Sequence, residues 1–276
     1  RVGHDSLERT LVRQLLLQAI QANAKSKLHK LTVSDAFMSN TVREALIELG
    51  FGKTGAGWLR YTPASIGLRS DLLRGLADKG VAVDGFEAAS AAELETRFWP
   101  AKVLGEGIPT FVVPIIPTWA AQLFDSDLAE SELFGAMARI ALNRENVYYR
   151  RPKNGHFTLP ARILWYVSKE EGLPGTMAIR ACSRLISVET GPAKSLYSKY
   201  RRLGVYEWRE ILGSAKGNPF GDIMVLRFAD TEQFRTPVSL EATQSLGIAS
   251  IFPSPTKITE EQFAEIYRRG FITTSK

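Results

Sequence analysis

The sequence predicts a mixed α/β protein of the α+β kind over 276 residues. The first observation behind this prediction is an amphipathic helix at 5–24, where leucines recur every four residues. The second is a set of apolar strands farther along the chain, of which 161–168 and 222–228 are the clearest. The length is enough for two ordinary domains.

Composition excludes several classes of protein. Hydrophobic residues make up 45% and charged residues 23% of the chain, which is typical of a globular protein with a sizeable core. No run approaches the roughly 18–20 apolar residues of a membrane span, so we expect no membrane partner. Cys182 is the only cysteine, which excludes an internal disulfide and suits a cytoplasmic location. His4, His29 and His156 lie far apart in the sequence, so no metal site is predicted.

The first segment, 1–63, is predicted to alternate helices and strands. A strand at 31–35 follows the first helix, a second helix at 39–49 is stopped by Gly50, and a strand follows at 58–61. This order, with the pair Gly50-Phe51, resembles the second half of a GNAT-type N-acetyltransferase domain. The resemblance implies a fragment or a truncated domain, because four strands of the family would lie upstream of Arg1. We therefore expect a protein partner or an upstream domain to cover the open sheet edge.

The acetyltransferase resemblance places Gly3, His4 and Ser6 where that family binds acetyl-CoA. Asp5 would repel a phosphate at this turn. Leu46 occupies the position of the tyrosine that acts as general acid in the family, and it has no proton to donate. We expect this segment to be inactive, so that acetyl-CoA is a cofactor only if the chain belongs to an active transferase. No catalytic residue is predicted.

The middle segment, 64–107, is predicted to be a mostly helical linker subdomain. Its charged stretches alternate with leucines, and Phe98 and Trp99 close the segment. We interpret these two aromatic residues as core anchors.

The last segment, 108–276, carries an ordered series of elements. An apolar strand leads through Pro117 into a short helix, the Tyr-Tyr-Arg-Arg sequence at 148–151 ends the next strand, and a Trp-Tyr strand follows at 161–168. This series resembles the ASCH family of the PUA-like superfold, small β-barrels that mostly handle RNA or modified nucleotides. The resemblance implies a PUA-like (ASCH) β-barrel with helices, whose binding cleft lies between the first helix and the neighbouring strands. The stretch 231–237 is interpreted as rich in turns.

The resemblance also identifies candidate residues for binding nucleic acid in that cleft. Strand alternation places Tyr149 and Arg151 on one face and Tyr148 and Arg150 on the other, so one of the two pairs lines the cleft. Trp119 is either a stacking platform or a lid on the core. The cleft candidates are Thr118, Trp119, Tyr149, Arg150, Arg151 and Lys169.

Catalysis at the same place is not expected. Some ASCH proteins are amidohydrolases that carry a lysine and a glutamate before the strand's arginine. If Arg150 is that arginine, Glu145 and Tyr148 stand at the other two positions, and the groups that would activate a nucleophile are absent.

Positive charge is concentrated around these candidates. Residues 141–210 hold 13 Lys and Arg against 6 Asp and Glu, a balance of +7 in a chain whose net charge is +6. Aromatic residues are interleaved with the cations, a pairing that favours single-stranded nucleic acid. A second cluster, Lys199, Arg201 and Arg202, ends a predicted helix and suits phosphate contacts. The alternative for both clusters is a solvated basic surface over a core of aromatic residues.

The sequence therefore predicts a protein that binds RNA or another nucleic acid, including modified nucleotides, through a barrel attached to an acetyltransferase-like segment. Two alternatives stay open. One is a fragment of an acetyl-CoA-dependent N-acetyltransferase, of the kind found in toxin–antitoxin systems. The other is a protein-interaction module whose basic face binds an acidic partner.

Overall fold

The structure, a computed structural model, describes residues 2–25, 30–36, 38–63, 65–81, 83, 85–131, 145–152, 157–170, 175–248 and 251–271. The chain divides into two compact units, Arg1–Gly107 and Ile108–Lys276. Both units mix helices and strands, which confirms the predicted α+β class. The separate status of 64–107 as a linker stays a prediction.

The first unit contains four helices and five strands among its described residues. In order these are α1 (Val2–Lys25), β1 (Lys30–Val33), α2 (Asn40–Glu48), β2 (Gly52–Thr54), β3 (Gly57–Tyr61), β4 (Ile66–Leu68), α3 (Arg69–Ala77), α4 (Ala91–Arg97) and β5 (Lys102–Leu104). Strands β1, β3 and β2 form an antiparallel sheet in that order, and β4 pairs in parallel with β5. The segment predicted to be mostly helical thus also contributes two strands.

Packing accounts for the Gly50-Phe51 pair. Helix α2 begins after Ser39, whose hydroxyl accepts a hydrogen bond from the Val42 amide at 3.3 Å. Gly50 follows the helix with φ of +83°, and a Cβ there would lie 2.7 Å from the carbonyl oxygen of Arg97, so only glycine fits. Phe51 is buried in the core of this unit.

Leu46, which stands at the general-acid position of the acetyltransferase resemblance, is also a core residue. It is fully buried and packs in one cluster with Ile20, Leu49, Trp58 and Trp99. The position is therefore closed to solvent as well as unable to donate a proton. Phe98 is buried too, as the interpretation of both aromatic residues as core anchors requires.

The second unit is built on one six-stranded sheet. Its described elements are β6 (Thr110–Ile115), α5 (Pro117–Leu123), α6 (Ser126–Ser131), β7 (Glu145–Arg150), β8 (Ala161–Val167), β9 (Ala178–Pro192), α7 (Ala193–Tyr200), α8 (Trp208–Ser214), β10 (Asp222–Ser239), α9 (Leu240–Ser245), β11 (Thr256–Ile258) and α10 (Glu260–Phe271). The strand order is β11-β6-β8-β9-β10-β7. The pair β6 and β8 is parallel, and the other pairs are antiparallel.

This sheet curls back on itself without closing. The hydroxyl of Tyr148, on edge strand β7, donates a hydrogen bond to the carbonyl oxygen of Pro114 on β6 at 3.3 Å. The two edge strands, β7 and β11, do not pair with each other within the described residues. The expected barrel is therefore a curled, open sheet in the part of the chain that the structure describes.

The stretch 231–237, interpreted as turns, instead lies within β10, so that interpretation is wrong. The strand runs on through register shifts between Ala229 and Glu232 and between Gln233 and Val238. Bulges of this kind bend a strand and let polar residues continue it. Cys182 is buried in β9.

The described residues contain neither a membrane-spanning helix nor a cluster of metal ligands. Across these ranges no helix combines the length and the apolar character needed to cross a membrane. The same ranges hold no group of three or more metal-ligating side chains.

Candidate functional site

The candidate site lies along the free edge of β7. The backbone amide of Val147 points away from β10 and donates a hydrogen bond to the carbonyl oxygen of Leu203 at 3.0 Å. The segment after α7 therefore runs beside β7. This contact brings the basic and aromatic residues of β7 close to the second basic cluster, Lys199, Arg201 and Arg202, which is distant in the sequence.

Gly204 permits that close approach. A Cβ at this position would lie 3.1 Å from Cγ2 of Val147, 3.3 Å from Cδ2 of Tyr206 and 3.4 Å from Cε2 of Tyr149. These distances are tighter than ordinary van der Waals contact. An alanine here would therefore require these side chains to shift by a few tenths of an ångström.

A row of aromatic rings follows this edge. Tyr206 lies with its ring centroid 4.3 Å from that of Trp119 and 5.1 Å from that of Tyr149. Tyr149 in turn lies 6.5 Å from Tyr197, and Tyr197 lies 5.4 Å from Trp208. We call these five residues the aromatic row. Its two inner members, Tyr149 and Tyr206, belong to the core, whereas the other three are only half-buried.

The burial of these rings bears on the two alternatives that the sequence leaves open, a nucleic-acid-binding surface and a solvated basic surface over a core of aromatic residues. The two buried tyrosines are core residues, as expected if the basic surface only covers a core of aromatic residues. Trp119, Tyr197 and Trp208 pack against the core from its margin and keep part of each ring at the surface. Partly exposed rings at a basic surface are the feature that base stacking needs.

Arg150 is the most unusual polar group of the site. Its Nε and Nη1 atoms are buried and have no hydrogen-bond partner within the described residues. Burial lowers the pKa of this guanidinium, although arginine stays protonated at any physiological pH. Tyr148 shares its face of β7, and burial raises the pKa of that tyrosine while the charge of Arg150 opposes the rise.

An unpartnered buried cation is costly. Removing a charge from water without supplying a counter-ion or acceptors is unfavourable by several kcal/mol in typical proteins. The side chain of Arg150 is half-buried, so part of this cost is relieved by solvent. Nε and Nη1 of Arg150 expose almost no surface, so a ligand reaches these donors only if the side chains around them move.

The other basic candidates differ in whether they already pair with a carboxylate. Arg151 follows β7, and Arg201 and Arg202 form the turn after α7; all three are exposed. Lys199 pairs with Glu189 at 2.7 Å, and the Tyr200 hydroxyl donates to the same carboxylate oxygen at 2.7 Å. Hydrogen bonds from Lys199 and Tyr200 hold the pKa of Glu189 below its ordinary value. Lys199 is thus largely neutralised.

Lys169 lies near the start of α5. The amide of Ser168 donates to the carbonyl oxygen of Ile115 at 2.9 Å, so the carboxyl ends of the parallel strands β6 and β8 meet there. Pro117 then opens the helix that carries Thr118 and Trp119. Lys169 is exposed and Thr118 is half-buried at this end of the sheet.

A buried ion pair holds the far end of α5 in place. Asp125 is fully buried and accepts hydrogen bonds from Nε and Nη2 of Arg180 at 2.5 and 3.0 Å and from Gln233 at 3.1 Å. It also accepts from the Leu128 amide at 3.1 Å, which fixes the start of α6. This network ties the helix that carries Trp119 to β9 and β10.

The structure does not place all predicted residues at one site. Gly3, His4 and Ser6 lie within α1 of the first unit, which begins at Val2 and not at Asp5 as predicted. Their backbone is helical, so the phosphate-binding turn expected before that helix is not formed there. Sequence reasoning missed Gly204 and Tyr206, because nothing in a short irregular segment signals that it lines a strand far away in the sequence.

Comparison with known proteins gives structural neighbours only. No protein-family model matches the chain, and no curated protein matches it. The ASCH protein of Zymomonas mobilis is 16% identical with a TM-score of 0.42, over 57% of this chain and 92% of that chain. The N-terminal domain of Staphylothermus marinus McrB is 14% identical with a TM-score of 0.35, over 59% and 96% of the two chains.

A further neighbour is human THYN1, solved in complex with 5-methylcytosine containing DNA. It is 10% identical with a TM-score of 0.33, over 59% of this chain and 97% of that chain. The neighbours thus include ASCH proteins, the family that the sequence of 108–276 resembles. They give no support to the acetyltransferase resemblance of 1–63 or to a place in a toxin–antitoxin system.

Proposed function

We propose that the second unit binds single-stranded nucleic acid, RNA or a strand with a modified nucleotide, on the surface formed by β7, the start of α5 and 197–208. The observation that carries this proposal is the guanidinium of Arg150, which has buried N–H groups without partners on the strand that also carries Tyr149 of the aromatic row. Phosphate oxygens and base carbonyls are the acceptors that such a fork suits.

The half-buried rings supply the second component of this recognition. Trp119 lies at one end of the aromatic row, and Tyr197 and Trp208 lie at the other. Stacking of a base on an aromatic ring contributes about 1–3 kcal/mol and tolerates any base. Stacking together with cations is the usual means of holding an unpaired strand.

Free cations along the same edge supply the third component. Arg151, Arg201 and Arg202 are exposed, and none has a carboxylate partner among the described residues. Neutralising phosphates with such groups releases counter-ions, which makes binding weaken as salt rises.

Binding is favoured over hydrolysis by the state of the carboxylate on β7. Glu145 accepts two hydrogen bonds from Arg227, at 3.0 Å and 2.5 Å. Both bonds reach the same oxygen, so this carboxylate already serves as the counter-ion of Arg227. Acetyl-CoA has a role only in the transferase alternative.

The test is a fluorescence-anisotropy titration of the full chain with short single-stranded RNA and single-stranded DNA at two salt concentrations. The expected result is salt-sensitive binding with a preference for RNA. An acidic polypeptide, polyglutamate, serves as competitor: it should displace the RNA poorly, because it offers no bases to stack. Absence of binding at low salt, or equal displacement by polyglutamate, would contradict the proposal.

A further inference from the structure

The start of the first unit has an arrangement that its acetyltransferase-like sequence does not reveal. Helix α1, strand β1, helix α2 and the hairpin β2–β3 follow one another, and the second strand of the hairpin lies between the other two. Both pairings are antiparallel, and the hairpin turns at Gly55 and Ala56. This order and pairing are those of a winged-helix domain, with α2 in the position of the recognition helix and β2–β3 as the wing. The described residues between β1 and α2, 34–36 and 38–39, form no helix, whereas such domains usually have a middle helix there.

Helix α2 presents one face to the core and the other to solvent. Ala45 and Leu46 are fully buried against the rest of the unit. The opposite face carries Asn40, Arg43 and Ile47, all exposed, at the spacing i, i+3 and i+7. Ile47 leaves 51% of its surface exposed, so an apolar side chain lies at the surface beside Arg43.

The glutamates and the arginine of this helix have different partners. Arg9 of α1 forms ion pairs with both Glu44, at 3.9 Å, and Glu48. Arg43 forms no ion pair among the described residues, and its Nη1 donates a hydrogen bond to the amide oxygen of Asn40 at 3.5 Å. The pKa of Asp35 is lowered chiefly by a hydrogen bond from Lys53 and slightly by the charge of Arg43. Glu44 and Glu48 share the single positive charge of Arg9, and the Asn40 amide, the Arg43 guanidinium and the Ile47 side chain lie at the surface.

Those three side chains match the chemistry of base edges in the major groove. An asparagine amide pairs with adenine, an arginine fork pairs with guanine, and an apolar side chain contacts the methyl group of thymine. Residues 1–63 hold nine Lys and Arg against five Asp and Glu, a balance of +4, and Arg13 and Lys30 are also exposed. This sign of charge suits a phosphate backbone on either side of the groove.

We propose that α2 inserts into the major groove of double-stranded DNA, with Asn40, Arg43 and Ile47 directed at the bases and the β2–β3 hairpin beside the backbone. This duplex-binding site belongs to the first unit and is separate from the single-strand surface of the second unit. The protein then carries two nucleic-acid sites with different ligand preferences.

The experiment uses the full chain and a labelled, mixed-sequence DNA duplex of about two helical turns. Affinity is measured by anisotropy between about 50 and 200 mM salt for the wild type, the double variant Asn40→Ala/Arg43→Ala, and Arg74→Ala. Arg74 is an exposed arginine of α3 and is the matched control for loss of one helical cation. Among the described residues it pairs with Asp71 of its own helix. Alanine is a good helix former and both α2 positions are exposed, so folding should persist.

The expected result is weaker duplex binding by the double variant at both ends of the salt range, and no change for Arg74→Ala. Hydrogen exchange of the α2 amides should slow when duplex is added and should not slow when single-stranded RNA is added. Wild-type affinity in the double variant, or equal protection of α2 by both ligands, would overturn the proposal. The single-strand proposal is unaffected by either outcome, because Arg150 is unchanged in these variants.

Discussion

The carbonyl oxygen of Leu203 accepts the backbone hydrogen bond that Val147 donates from the free edge of β7, at 3.0 Å. An exposed strand edge is a hazard that proteins cover, and here the segment after α7 provides the cover. The same contact places the cations of the turn after α7 beside the strand that carries Arg150. One backbone hydrogen bond thus links protection of the sheet edge to assembly of the candidate site.

Replacing Gly204 by alanine should break that assembly. The new Cβ would contact Val147, Tyr206 and Tyr149 at 3.1–3.4 Å, and overpacking of this kind costs about 1–3 kcal/mol. Urea denaturation should show the loss of stability, and RNA affinity should fall because the segment is pushed away from β7.

Gly213→Ala is the matched control for this change. Gly213 lies in α8, and a Cβ there would meet nothing within 4 Å. Alanine should therefore stabilise the helix by about 0.5–1 kcal/mol. If both glycine variants behave alike, the close approach of Gly204 to β7 is not a constraint on this fold.

Among the cations after β9, Arg202 should contribute more to binding than Lys199. Lys199 is already paired with Glu189 at 2.7 Å, whereas Arg202 is exposed. The charge-neutral double variant Lys199→Gln/Glu189→Gln should leave the salt dependence of RNA binding unchanged. Arg202→Ala should reduce its slope by about one. The opposite ranking would show that the Lys199–Glu189 pair opens when RNA binds.

The variant Tyr149→Phe tests how the buried hydroxyl of Tyr149 affects stability at alkaline pH. Burial raises the pKa of Tyr149, and its hydroxyl has no hydrogen-bond partner within the described residues. A raised pKa contributes stability below the unfolded value of about 10, and this contribution is lost as pH rises through the folded value. The phenylalanine variant should therefore lose less stability than the wild type above pH about 10.

At neutral pH the same variant should be about as stable as the wild type, because no hydrogen bond is lost. Tyr197→Phe is the control, since the Tyr197 hydroxyl donates to the Tyr206 carbonyl oxygen at 3.3 Å. Its loss should cost about 0.5–1.5 kcal/mol. Urea denaturation from neutral to alkaline pH measures the stability of both variants. A Tyr149→Phe variant that is less stable than Tyr197→Phe at neutral pH would contradict this account.

Local patterns predicted the elements that carry the site. The apolar run before Pro117, the alternation through Arg150 and the helix that ends at Tyr200 are all visible in the sequence, because each depends on neighbours a few residues away. The placement of Trp119 at a helix start follows from the same local signal.

Long-range contacts were not predictable in the same way. The neutralisation of Lys199 depends on Glu189 of another element, and the role of Gly204 depends on β7. The pair Gly50-Phe51 matched an acetyltransferase pattern, yet Gly50 is explained by contact with Arg97. Bulges allowed β10 to continue through a stretch that reads as turns.

The most direct test of the central claim is the RNA affinity of Arg150→Met, measured by anisotropy beside the unfolding free energy of the same variant. Methionine keeps an unbranched stem and removes the guanidinium, whose Nε and Nη1 atoms lack partners. Charge-assisted hydrogen bonds contribute about 1.5–3 kcal/mol, so affinity should fall about tenfold or more while stability is unchanged or higher. Unchanged affinity in a folded Arg150→Met protein would contradict the claim that this arginine holds the nucleic acid.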